Sequence, residues 1–186
     1  MDTIDDIING CKKGRRDCQE KLYTLFSAKM FGVCLRYANN RSDAEDVLQE
    51  GFIKIFSKIE QYEFKGSFEG WMRRIMVTTA LMRYRTQSHQ ATIPVDEFYD
   101  ATGPVDAGTN TMESQDLLNL IGQLPPRYKM VFNLFAIEGY SHQEIAKMLE
   151  ISEGTSKSNL ARARAILQEK VQKIYHIQDK VKTFTK

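Results

Sequence analysis

Residues 140–164 read YSHQEIAKMLEISEGTSKSNLARAR, and this stretch decides the fold. Ser141 with Glu144 three residues on has capping-box spacing, in which a hydroxyl and a carboxylate satisfy free backbone N–H groups at a helix start. Ile145, Ala146 and Leu149 follow at helical spacing and give this short helix a buried side. Ile151 packs the turn, and Ser152, Glu153, Gly154 and Thr155 open a second helix. There Ser156, Leu160, Ala163 and Leu167 share one face, while Lys157, Ser158, Ala161, Arg162 and Ala165 share the other. The pattern is a helix-turn-helix whose second helix presents Lys, Ser and Arg. Such a helix fits the major groove, where Arg and Lys donate to guanine and phosphate oxygens and small Ala161 permits close approach. Basic helix pairs also occur in proteins that never touch DNA; the ordered cap, tight turn and segregated face favour the DNA reading.

Working outward, Leu124-Pro125-Pro126-Arg127-Tyr128 opens the preceding helix, with proline in the first turn, and Gly139 stops it. Helical periodicity holds up to Thr86 and again from Ser114, and strand alternation is missing. The expected fold is all-α: two small helical domains, 1–88 and 113–186, joined by a flexible acidic linker, 89–112, marked by Pro94, Gly103, Pro104 and Gly108. In the first domain, Ser42 to Ile59 is amphipathic. Ser42 is the candidate N-cap, and Ala44, Val47, Leu48, Phe52, Ile55, Phe56 and Ile59 form the buried stripe. Asp43, Asp46, Gln49, Glu50 and Lys54 lie opposite, a face whose role composition leaves open. Next, the Gly-flanked loop from Phe64 to Gly70 leads into Trp71, Arg73, Arg74, Arg83, Tyr84 and Arg85, with no acid between Trp71 and Ser88. Aromatic rings that stack on unpaired bases beside guanidiniums that contact phosphates are what single-stranded nucleic acid binding requires. A core of Trp71, Ile75 and Leu81 with exposed arginines is the competing reading.

The 186 residues carry 26 Lys+Arg against 24 Asp+Glu, a bland +2, but the charges are segregated. Residues 1–62 hold 10 basic and 10 acidic side chains, 63–90 hold 5 and 2, 91–116 hold 0 and 6, and 117–186 hold 11 and 6. Two basic stretches around a wholly acidic one point to a polyanion binder. Cys11, Cys18 and Cys34, an odd number without neighbouring histidines, indicate neither a disulfide framework nor a zinc site. The start MDTIDDIING is not a signal peptide, and no apolar run reaches the roughly 20 residues of a membrane span. The expectation is a reduced, cytoplasmic protein without membrane insertion and without a metal or cofactor.

Taken together, these segments resemble a bacterial RNA polymerase sigma factor of the extracytoplasmic function (ECF) group. Residues 43–56, DAEDVLQEGFIKIF, are similar to the family's polymerase-binding helix; Gly70-Trp71-Met72-Arg73-Arg74-Ile75 resembles its promoter-melting and −10-reading segment; residues 140–164 resemble its −35-reading helix-turn-helix. The resemblance implies that Asp43, Asp46, Gln49 and Glu50 dock on the clamp helices of core RNA polymerase. It implies that the loop with Lys65, Ser67 and Phe68 holds a base flipped from the −10 element, with Trp71, Arg73 and Arg74 near the melted strand. It places Lys157, Ser158, Ala161 and Arg162 on −35 promoter DNA, with Ser141 and His142 near its backbone. Val131, Leu134 and Phe135 gain a partial role at the polymerase flap, with core packing the competing reading. By the same resemblance the acidic linker threads the polymerase's nucleic-acid channel, and an anti-sigma factor holds the free protein. Two departures stand out: Thr78 and Met82 occupy positions where the family often has Asn and Asp, and Ser156 replaces an apolar residue, a small filler expected to loosen packing slightly.

Two other function classes fit less well. An enzyme would need a catalytic constellation, but there is no Gly-rich phosphate loop or HExxH, and His89, His142 and His176 are scattered. A stand-alone helix-turn-helix transcriptional regulator with a receiver domain would need alternating strands and helices where residues 43–84 read as helices.

Overall fold

The first helix begins where Thr3 and Asp6 close a capping box, the hydroxyl accepting from the Asp6 N–H and the carboxylate from the Thr3 N–H. The computed structural model describes residues 2–90 and 114–184, and side chains within 2–86 and 116–174. The linker acids Asp96, Glu97, Asp100 and Asp106 lie outside the described residues. Among those described there is no strand, and the chain divides into two compact units, Met1–Thr92 and Ile93–Lys186.

The N-terminal unit contains α1 (Ile4–Lys12), α2 (Arg16–Tyr37), α3 (Arg41–Lys58), a 3-10 turn (Ile59–Gln61) and α4 (Phe68–Gln90). Helices α2, α3 and α4 pack on one another, and α1 lies against α2 and the 3-10 turn. The stripe expected on α3 is buried at Ala44, Val47, Leu48, Phe52, Ile55 and Ile59, as are Leu22 and Met30 of α2 and Met72, Met76 and Val77 of α4; Phe56 is half-buried. The cap of α3 is Asn40 rather than Ser42: its side chain accepts from the Asp43 N–H at 2.8 Å, so the helix starts at Arg41. Gly51 lets α3 approach α4, since a Cβ there would meet the Met76 sulfur at 2.2 Å. The three cysteines are buried and free. Burial pushes the Cys11 thiol up to about 11 and the Cys34 thiol up to about 12, so neither is ionised at neutral pH.

The C-terminal unit contains α5 (Ser114–Gly122), α6 (Pro126–Phe132), α7 (His142–Leu149) and α8 (Glu153–Phe184). Leu120, Ile121, Leu124, Tyr128, Ala163 and Leu167 form a core joining α5, α6 and α8. Helix α6 does not run straight to its stop; it widens into a π turn, Asn133–Ile137, before Gly139 at φ +78° turns the chain. Val131 and Leu134 are fully buried, which corrects the flap reading for both: they are core. Helix α7 ends on Glu150 in the left-handed region (φ 56°), where a side chain is disfavoured.

Candidate nucleic-acid interface

On α8 the structure separates the two faces as the periodicity requires. Ser156, Leu160, Ala163 and Leu167 are buried, whereas Lys157, Ser158, Ala161, Arg162 and Ala165 are exposed. Ser152 caps the helix, its hydroxyl accepting from the Thr155 N–H at 3.0 Å. Lys157 pairs with Glu153 at 2.8 Å, and this hydrogen bond holds the Glu153 carboxyl below the usual range. Ser141 closes its capping box with Glu144, so its hydroxyl is committed to the first turn of α7.

Ser156 does not loosen the helix pair. Its hydroxyl, fully buried, lies 2.9 Å from His142 Nδ1, and the His142 ring stacks on Phe135 with centroids 4.7 Å apart at 22°. The Arg164 guanidinium covers the Phe135 ring at 5.7 Å. A polar pair replaces an apolar contact and orients His142, which is half-buried at the start of α7. A satisfied buried hydroxyl contributes roughly 1 kcal/mol, so little is lost by the exchange.

The loop before α4 is built differently. Tyr62, Phe68 and Trp71 cluster with centroids 4.9–5.6 Å apart; Phe68 and Trp71 are stacked at 21°, and Phe26 meets the edge of Phe68. Phe68 is only 7% exposed, so it supports the loop from beneath, while Trp71 is half-buried and Lys65, Ser67 and Arg74 are exposed. Ser67 also caps α4, its hydroxyl accepting from the Gly70 N–H at 3.3 Å. Arg73 is half-buried. Phe64 stands at φ 57° and Gly66 at φ 82°. For a bulky aromatic the left-handed region costs of order 1–3 kcal/mol and persists only where neighbours impose it. The neighbours here are Tyr62, whose hydroxyl donates to the Gly66 carbonyl at 2.8 Å, and Lys12, whose Nζ donates to the Tyr62 carbonyl at 2.6 Å. Further along α4 the Thr78 hydroxyl donates back to the Arg74 and Ile75 carbonyls, which directs its proton at its own helix. Met82 is exposed.

The outer face of α3 carries the remaining candidates. Gln49 is exposed; Asp43 is half-buried. Arg83 from α4 reaches across to Asp46 at 2.7 Å and Asp43 at 3.6 Å, and Lys54 pairs with Glu50 at 2.6 Å. Ile53, at 69% exposed, projects from this face one turn beyond Gln49. Arg83, expected among the arginines that contact phosphate, is instead a long-range ion-pair partner, and Ile53 falls outside the buried stripe, on the polar side of the helical period. Lys12 and Tyr62 escape a local reading because their contact spans 50 positions. Among the described residues no group of three or more side chains is placed to hold a metal ion, and no helix is long and apolar enough to cross a membrane.

With this geometry in place, the comparisons speak to the same two units. A family described as Sigma-70 region 2 matches residues 22–90, and one described as Sigma-70, region 4 matches residues 114–167. The two together define the class as a sigma-70 type factor. The chain is 30% identical over 182 residues to the ECF RNA polymerase sigma-E factor of Haemophilus influenzae, covering 91% of this chain and 96% of that protein. It is 27% identical over 176 residues to the ECF RNA polymerase sigma factor SigW of Bacillus subtilis, covering 88% and 94%. Among solved structures, the sigma factor RpoE in complex with the anti-sigma factor NepR from Bartonella quintana is 22% identical, covering 82% of this chain and 96% of that one, with a TM-score of 0.49. The chain belongs to the family of ECF RNA polymerase sigma factors.

Proposed function

We propose that the chain binds core RNA polymerase and directs it to promoters by reading −35 and −10 elements and assisting melting. Residues 1–88 act as sigma domain 2, 113–186 as sigma domain 4, and 89–112 as the tether. The observation that carries the reading is the clean division of α8, with Lys157, Ser158, Ala161 and Arg162 exposed above a buried Ser156, Leu160 and Ala163, in a chain that also carries the α3 face and the −10 loop. Lys157 and Arg162 donate to bases and phosphates of the −35 duplex, and His142 meets its backbone. Trp71 stacks on the melted strand, and Arg73 and Arg74 neutralise it. Asp46, Gln49, Glu50 and Ile53 make the polymerase contact, with Asp43 supporting Arg83 beneath them.

On this reading the chain has no catalytic site of its own; the chemistry and its metal belong to the polymerase. It acts in the cytoplasm, its acidic 91–116 segment lies along a basic channel of the polymerase, and an anti-sigma partner holds it when free. Near-zero net charge fits a factor that binds duplex weakly until polymerase carries it to DNA.

The test is reconstitution with purified core polymerase and genomic DNA fragments. Promoter-specific transcripts are expected; duplex binding without core, and no transcripts, would identify a stand-alone regulator instead. In the same assay Ile53→Asp lowers core affinity about tenfold, the size of a modest interface hot spot.

A further inference from the structure

We propose that Lys12, at the end of α1, is a positioning residue for the −10 loop, acting through Tyr62 and Phe64 rather than on DNA. The inference rests on the reading of that loop as the pocket for an extruded −10 base. Nothing in the sequence pattern points to Lys12, which is separated from Tyr62 by 50 positions.

The loop is strained at Phe64. A phenylalanine at φ 57° does not hold that conformation unaided, so the loop is shaped by what surrounds it. Glu63 and Lys65 pair with each other at 2.6 Å, but both are exposed and the pair is a weak restraint. Tyr62 is buried and ties the far side of the loop through Gly66. Lys12 supplies the near side twice over. Its Nζ makes a 2.6 Å charge-assisted bond to the Tyr62 carbonyl and lies 4.7 Å from the centroid of the Phe64 ring. One ammonium thus fixes the residues on both sides of Glu63, while the Tyr62 and Phe64 rings contact each other at 5.2 Å.

Removing the ammonium strips the donor from the Tyr62 carbonyl and the cation from the Phe64 ring. The backbone at Phe64 then relaxes toward right-handed conformations and carries Lys65, Gly66 and Ser67 with it. Extruding a base already costs free energy, and a loop that must also be ordered at that moment holds the base less selectively. The first helix of the chain is therefore part of the −10 reader. A lysine in the last turn of a helix also complements the helix dipole, but that role requires no contact with Tyr62 and predicts no change in base selection.

The test uses holoenzyme assembled from the full chain and core polymerase, on a fork-junction DNA whose unpaired −10 strand is randomised. Wild type, Lys12→Met, Lys12→Gln, Lys12→Arg and the loop double variant Lys65→Ala/Ser67→Ala are compared. Wild type selects one base in the unpaired stretch. Lys12→Met and Lys12→Gln lose about tenfold of that preference, the scale of one base contact, with core affinity unchanged, and Lys12→Arg keeps most of it. Full selection in both Lys12→Met and Lys12→Gln overturns the proposal, as does an equal loss for every base or a loss of core binding in both, since either marks a general packing role. The loop variant separates the two ideas. If it loses selection while Lys12→Met and Lys12→Gln do not, only the role of Lys12 falls; if no variant changes selection, the reading of the loop falls and takes the proposal with it.

Discussion

The two regions proposed to meet nucleic acid reach their shapes by opposite routes. On α8 the exposed Lys157, Ser158, Ala161 and Arg162 are presented by helical geometry alone, above a seat of Ser156, Leu160 and Ala163. In the loop before α4 the backbone is irregular, Phe64 is left-handed, and Lys12 and Tyr62 hydrogen-bond to its two ends. A reader of regular duplex can be a regular helix, whereas a pocket for one unstacked base needs a local shape that tertiary contacts impose.

That contrast can be broken most forcefully at the seat of α8. Leu160→Ala removes a side chain that is 4% exposed and is expected to cost about 2–5 kcal/mol of stability, read by denaturant unfolding of the C-terminal unit's signal, with −35 binding lost alongside. Arg162→Ala leaves folding intact and costs about 1–3 kcal/mol of duplex affinity, and a base-substitution series on the −35 element should show relaxed discrimination at one position. An Arg162→Ala variant that binds more weakly but discriminates every position as wild type does would place the arginine on phosphate instead. Ser156→Ala takes away the partner of His142 Nδ1 and is expected to cost about 0.5–1.5 kcal/mol in thermal unfolding. The smallest effect is at the turn: Glu150→Gly relieves a left-handed non-glycine residue and should stabilise by up to about 1 kcal/mol.

How much of this was legible follows the same division. The α8 register, the Ser141 and Glu144 box and the α3 stripe were readable because side-chain period and cap spacing are local properties. The cap of α3 was misplaced by two residues, since Asn40 and Ser42 both suit that role and only the backbone shows that the helix starts at Arg41, with the Asn40 side chain accepting from the Asp43 N–H. Phe68 among the DNA-facing candidates and Val131 and Leu134 at a partner surface were misassigned or left open because local pattern does not tell an aromatic or aliphatic side chain that is presented from one that is covered. Lys12 was invisible, and Arg83 was read as a phosphate contact, for a stronger reason: each acts on a residue tens of positions away, and a cation on a helix carries no sign of what it reaches. The acidic segment around Asp96 to Asp106 remains as its composition left it.

The pairing of carboxylates on α3 has a consequence for partner choice. Asp46 already has Arg83 and Glu50 already has Lys54, so this face meets other molecules with its charges answered. A passing polycation gains little there, because each new pair it forms replaces an existing one. A partner that is to stay must match the spacing of both carboxylates at once and cover Ile53 beside them, which makes contour rather than charge the quality that this surface screens for.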